Sequence, residues 1–336
     1  MARNLRSYRF LAAATVVVAF VASIGLRAVG AEPAPELPSV PPQSLIASAL
    51  RAIARRTPLS GTVRTHMDLG IPELPSGLGD PSSPLGVLAS DQTFKVWRSP
   101  DGARVAQILP FGERDVVANR AGVWVWDSTR FRAWHLDVPP SASPPSVPSI
   151  GDLEAVVGKA LEAIGPDATV TEADPTVVAG RPAYVVSLIP TSGSTLVGRI
   201  DIAIDADTRV PLRMQVFARS GPAPTLDVGF ESVSFSPVDP SMFTFTPPEG
   251  AAVTQVNPGA REAGSEPGIP EVRTFGEGFG LIVAVRVTTV PEQLRRLFPY
   301  EGPIGSAVLV ERGDHVWVVA GAVGPEALAE VGPKLP

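Results

Sequence analysis

The chain of 336 residues contains no cysteine. That excludes disulfides, thiolate metal sites, a cysteine nucleophile and a lipid anchor on an N-terminal cysteine. Histidine is scarce: His66, His135 and His315 are all there are, and no HxH or HExxH spacing exists, so a catalytic zinc site has no support. Lysine is nearly missing as well, with Lys95, Lys159 and Lys334 the only three among 28 basic residues. The formal charge is −6, and residues 1–31 carry four arginines and no acid. The remainder therefore stands at −10 (24 basic against 34 acidic residues). A phosphate backbone demands a basic surface, so nucleic acid is excluded as a partner. No GxSxG, P-loop or dinucleotide fingerprint occurs, and the Ser-Gly pairs at Ser76 and Ser192 have no histidine nearby. The expectation is a protein without catalytic activity or cofactor.

What is present begins with an export signal. Arg3, Arg6 and Arg9 precede Phe10–Leu26, an uncharged apolar run. A basic segment ahead of such a run reads as a signal peptide or a membrane anchor spanning 1–31, with Val29-Gly30-Ala31 as a cleavage site if it is removed. The run is at the lower length limit for crossing a bilayer, so cleaved and retained forms both remain open. Either way residues 32–336 are expected outside the cytoplasmic membrane, because the flanking arginines stay inside.

Residues 32–42 form a Pro-rich spacer. Gln43–Arg56 has the apolar spacing of an amphipathic helix, with Leu45, Ile46, Ala49, Leu50 and Ile53 on one face and Pro58 as its stop. From Gly61 to about Phe245 apolar and polar residues alternate. In Asn119–Leu136, Val123, Val125 and Asp127 fall on one pleat face and Trp124 and Trp126 on the other. Repeated over nearly two hundred residues, this pattern predicts one large antiparallel sheet with apolar residues on both faces. Strands are expected at Gly61–Asp68, Asp91–Ser99, Arg104–Leu109, Arg114–Asn119, Val123–Asp127 and Ala133–Val138. A helix over Asp152–Ile164 follows, then a four-strand meander at Pro182–Ile189, Thr195–Ile204, Leu212–Ala218 and Thr225–Ser234. The Pro/Gly-rich stretch Leu69–Ser90 is apolar at Leu69, Ile71, Leu74, Leu78, Leu85 and Leu88. A loop of that length is either functional, as a lid, or a packed insertion. A linker at 251–271 leads to a small C-terminal α/β module at 272–336.

Several stretches carry a family resemblance. They are Asp115-Val116-Val117-Ala118-Asn119 with Gly122 and Trp124-Val125-Trp126-Asp127, Gly180-Arg181-Pro182-Ala183-Tyr184, Asp201–Arg213 with Phe217, and Val233-Ser234-Phe235 with Phe243–Pro248 as a closing strand. In this order they resemble the LolA/RseB-like family of periplasmic lipoprotein carriers and envelope regulators, over about residues 43–250. The resemblance implies an α+β fold: a curled antiparallel sheet, an open half-barrel, with helices packed on its concave face. It implies a lipid or an acylated protein as partner, with a membrane protein or transporter as a further one. The implied cavity wall includes Trp97, Trp124, Trp126, Leu188, Ile202 and Phe230, with plain sheet core as the other reading of the tryptophans. Two functions stay open: an acyl-chain carrier gated by the loop, and a membrane-associated regulator that senses lipid and binds a membrane protein. Arg98, Arg104, Arg114, Arg181 and Arg213 read as solvated strand-end charges or as rim residues that meet a headgroup.

Overall fold

The computed structural model describes residues 34–70, 91–137, 167–256 and 271–336. The expected signal segment, the helix at Asp152–Ile164 and the lid residues Ile71, Leu74, Leu78, Leu85 and Leu88 lie outside these residues; Leu69 lies within them. No helix among the described residues is long and apolar enough to cross a membrane.

Helix α1 is Pro42–Ala54. Pro42 stands where the helix has no use for an N–H, and the proline ring presets its φ. Leu45, Ala49 and Ala52 recur at helical spacing and are its buried residues. Arg56 then turns to a positive φ of 50° and Pro58 prevents re-entry.

Twelve strands form the main sheet. In chain order they are β1 (Leu59–Met67), β2 (Gln92–Ser99), β3 (Gly102–Leu109), β4 (Gly112–Asn119), β5 (Gly122–Asp127), β6 (Arg132–Asp137), β7 (Ala168–Val178), β8 (Arg181–Pro190), β9 (Val197–Asp205), β10 (Pro211–Ala218), β11 (Pro224–Ser234) and β12 (Ala252–Val256). Their spatial order is β12-β6-β5-β4-β3-β2-β1-β11-β10-β9-β8-β7, an open sheet with two edges. Two meanders, β1–β6 and β7–β11, are joined by the long-range pairing of β1 with β11. Turn chemistry sets the hairpins. Asn119 Oδ1 accepts the amides of Ala121 and Gly122 (2.8 and 3.3 Å), which closes the β4–β5 turn. A Cβ on Gly122 would lie 2.3 Å from the carbonyl oxygen of Leu136, so only glycine fits there.

The sheet departs from the expected pattern in three places. It is not wholly antiparallel, since β12 pairs parallel with β6, from Ala252 beside Arg132 to Val256 beside Leu136. The sheet thus runs past residue 250 into the expected linker. The second meander has five strands, because Ala168–Val178 precedes β8; its Glu172, Asp174 and Pro175 hide it in the sequence, and such residues belong on an edge strand. The expected closing strand at Phe243–Pro248 is instead a 3-10 turn, Pro240–Phe243, followed by extended chain. Asp239 caps that turn by accepting the Ser241 amide, a geometry that Pro240 presets.

A second sheet holds β13 (Val272–Phe275), β14 (Ile282–Val287), β15 (Tyr300–Glu301), β16 (Ser306–Arg312) and β17 (His315–Gly321) in the order β13-β14-β17-β16-β15. Short helices α2 (Glu292–Arg295) and α3 (Pro325–Ala329) accompany it. Trp317, Val319, Ala284 and Leu328 are its buried centre. The two sheets touch through backbone: Thr195 bridges to Val323, and the Leu196 amide donates to the Ala322 carbonyl at 2.8 Å. The Arg219 guanidinium braces this junction by donating to the carbonyls of Thr195 and Ser192.

Candidate functional site

Strand registers decide which side chains share a face, because directly paired residues lie on the same side. One face of the main sheet is apolar across nearly its full width. On β7–β9 it carries Val170, Tyr184, Val186, Leu188, Ile200, Ile202 and Ile204. Leu45 and Ala49 of α1 pack among these residues, so the helix covers this half. In the middle lie Val63, Phe94, Val228 and Phe230, all fully enclosed, with Ala52 of α1 in the same cluster.

The same face continues onto β2–β6 as two parallel rows that cross the strands. One row is Val96, Val105, Val116, Val125 and Trp134, each paired with the next. The other is Arg98, Ala103, Ala118, Val123 and Leu136. Each row crosses four strand spacings, about 19 Å. Val105, Val116, Ala118, Val123, Val125 and Leu136 are half-buried, unlike their counterparts on β8 and β11. Beside the valine row runs a polar one, Gln107, Arg114, Asp127 and Arg132. Its one acid, Asp127, is compensated, while Arg132 pairs with no carboxylate among the described residues. Arg114 reaches Asp127 at 3.1 Å, and Thr129 and the Arg130 amide donate to the same carboxylate. Burial alone would push the Asp127 carboxyl up, but these donors outweigh it and hold it below its ordinary range.

The opposite face is built differently. Trp124 stacks on His135 with ring centres 3.9 Å apart. Phe245 touches both Trp124 and Trp126, and Phe131 meets Trp126 edge-on. The Asn119 side chain donates to the Phe243 carbonyl at 2.7 Å and holds the Pro240–Phe245 segment against these rings. Farther along, Arg104 sits over Trp97 and pairs with the buried Asp115. Burial leaves the Asp115 carboxyl raised despite that arginine. Arg213 pairs with Asp227, and Arg199 with Asp201.

The six residues expected to line one cavity therefore do not share a face. Trp97, Trp124 and Trp126 lie on the charged and aromatic side, where the chain's own Phe243–Phe245 segment covers Trp124 and Trp126. Leu188, Ile202 and Phe230 lie on the other. Of these, Leu188 and Phe230 are enclosed core, and Ile202 is half-buried beside Met214. The tryptophans are large and aromatic, but the period-two alternation puts them on the face opposite the valines. The half-buried row residues Val105, Val116, Val123, Val125 and Leu136 are no part of the expected cavity wall. Their signal is the alternation itself, carried through four consecutive hairpins. Leu69, at the base of the expected lid, accepts a hydrogen bond from the Tyr300 hydroxyl at 2.7 Å, which ties the second sheet to that loop's stem. Burial, with Asp68 adding to it, raises the Tyr300 hydroxyl above its ordinary range. Asp205 is a turn former: it accepts from the amides of Asp207 and Thr208, and Arg181 clasps it.

No protein-family model and no curated protein matches the sequence. Solved structures do. The chain is similar to the Pseudomonas aeruginosa MucA/MucB complex structure at 13% identity, over 87% of this chain and 96% of that one, with a TM-score of 0.50. It is equally similar to a structure of MucB in complex with MucA(peri), at 13% identity, over 87% of this chain and 97% of that one, with a TM-score of 0.51. At this identity the likeness is one of fold: the chain shares the fold of MucB.

Proposed function

We propose that this protein is a non-enzymatic, extracytoplasmic acyl-chain binder, and that the two rows on β2–β6 form its binding surface. The observation that carries the reading is the contrast within one apolar face. On its β7–β9 half Tyr184, Val186, Leu188 and Ile204 are buried with Leu45 and Ala49 of α1 and Val170, Ile200 and Ile202 are half-buried, while on the other half Val105, Val116, Val123, Val125 and Leu136 are all half-buried. Ligand sites for apolar molecules are apolar and concave, and a curled sheet presents such a surface. Binding adds roughly 0.8 kcal/mol per buried methylene, so a single chain can be held without any covalent step. The tethered or secreted state of the chain, the packing of further helices over the rows and the gating by the Leu69–Ser90 loop belong to the same proposal.

A second reading is a regulator that binds a membrane-associated protein. The likeness to MucB, solved in complex with MucA(peri), supports it, because the match covers 87% of the chain and so extends beyond the main sheet.

Titration of the full chain with a fluorescent long-chain fatty acid tests the first reading. Val125→Asp is expected to abolish saturable binding, because it sets a carboxylate in the middle of the valine row. Saturable binding that survives Val125→Asp and Val116→Asp together would sink it. Recovery of a protein partner from membrane extract, lost on deleting 271–336, would favour the regulator.

A further inference from the structure

Two arginines of the main sheet, Arg98 and Arg132, pair with no carboxylate among the described residues, and of these two only Arg98 has a buried guanidinium nitrogen without a hydrogen-bond partner. Arg64, Arg104, Arg114, Arg181, Arg199 and Arg213 each pair with a carboxylate. Arg98 pairs with none among the described residues. Its Nε donates to the Thr57 carbonyl across a long 3.4 Å, and its buried Nη2 has no hydrogen-bond partner. The neighbouring charge is Arg56, of the same sign. Burial first, and Arg56 second, lower the guanidinium to about 10. A desolvated cation beside a like charge is costly unless something of opposite sign completes it.

Its position says what that something is. Arg98 heads the row Ala103, Ala118, Val123 and Leu136, on the same face and one step from Val96, Val105, Val116 and Val125. The far side of the apolar stripe is bounded by Arg114 paired with Asp127 and by Arg132 next to them. An amphiphile laid along the row that Arg98 heads meets that buried, uncompensated charge at one end, whereas Arg132 stands in the polar row beyond the valines. The small side chains of Ala103 and Ala118 leave room next to that charge.

We infer that Arg98 is the headgroup-binding residue of the acyl site, holding the oxyanion, carboxylate or phosphate, of an amphiphile whose chain lies along the two rows. The guanidinium presents paired N–H groups that match such an oxyanion. The inference rests on the acyl-chain reading and adds to it a polarity: headgroup at the β2–β3 turn beside the end of α1, chain tail toward β6.

The test compares a fluorescent long-chain fatty acid with its methyl ester on the full chain at neutral pH, in the native protein, Arg98→Met and Arg98→Lys. The native chain is expected to prefer the acid by about tenfold, the worth of one charged hydrogen bond. Arg98→Met is expected to bring the acid-to-ester ratio to one while keeping ester affinity and leaving the melting temperature unchanged or higher. Arg98→Lys is expected to retain part of the preference. Taking the ratio cancels the differing partition of the two probes. Equal binding of acid and ester by the native chain, or an unchanged ratio in Arg98→Met, overturns the assignment while leaving acyl binding intact. If neither probe binds, the acyl-chain reading itself falls and takes Arg98 with it. Inorganic phosphate added in millimolar excess separates the sources: the preference persists if the chain delivers the oxyanion, and its loss would reassign Arg98 to a free anion and overturn the headgroup role.

Discussion

Two halves of one sheet face carry nearly the same side chains and end up with different environments. On β7–β9, Tyr184, Val186, Leu188 and Ile204 are buried under Leu45 and Ala49 of α1. On β3–β6, Val105, Val116, Val123, Val125 and Leu136 are only half-buried. Alternation puts apolar residues on a face but does not say what covers them. Where α1 lies on the face the pattern is core; the half-buried stretch on β3–β6 is the surface proposed for the ligand. The edges of that second half sharpen the contrast, with Arg114 and Asp127 mutually neutralised on one side and Arg98 uncompensated on the other.

Substitutions can break this contrast. The largest expected effect is Phe230→Ala in the enclosed middle of the face, which should cost about 3–5 kcal/mol by urea unfolding, because the cavity cannot refill. Leu45→Ala should cost about 2–5 kcal/mol, since it uncovers Leu188 and Val186. If Leu45→Ala proved neutral, the covered half would not be core in the sense argued here. Asp205→Asn should cost about 2 kcal/mol at neutral pH by removing the charged partner of Arg181 and Thr208. For Asp205 burial pushes the carboxyl up, but Arg181 and Thr208 outweigh it and hold it below its ordinary range. Its contribution is therefore present above the unfolded value of about 3.9 and is lost as pH falls through the lower folded value. Urea titrations of both proteins should accordingly converge at acid pH, and a gap that widened there would refute the assignment. Val116→Ser, at the centre of the half-buried rows, should change stability by about 1 kcal/mol or less yet weaken fatty-acid binding about tenfold. Trp124→Phe should do least: it keeps a ring against Phe245 and lies on the other face, so acyl binding should be unchanged by fluorescence titration.

Much of the architecture was legible. The strand segments from Gly61 to Val138, the helix beginning near Gln43 and the facing of Val123 and Val125 away from Trp124 and Trp126 follow from local rules, and the structure has each of them. Three elements escaped those rules. Ala168–Val178 carries Glu172, Asp174 and Pro175, tolerated only because it is an edge. Ala252–Val256 looks like linker because its partner, β6, is over a hundred residues away and runs parallel to it. Phe243–Phe245 looks like a strand and instead roofs Trp124 and Trp126.

Of the candidate site, the sequence supplied an apolar, cysteine-free, acidic chain with period-two patterning and no catalytic set. Those features follow from residue identity and from spacing along one strand. It could not say which apolar residues would be covered. Six large side chains looked equivalent there, and the registers divide them between two faces, three on each. Nor could it separate Arg98 from Arg104 or Arg114, all strand-end arginines by spacing. Only tertiary structure brings Asp115 beside Arg104 and Asp127 beside Arg114 while leaving Arg98 next to Arg56. Local propensity acts over a few residues, whereas burial and charge compensation depend on which distant strands become neighbours.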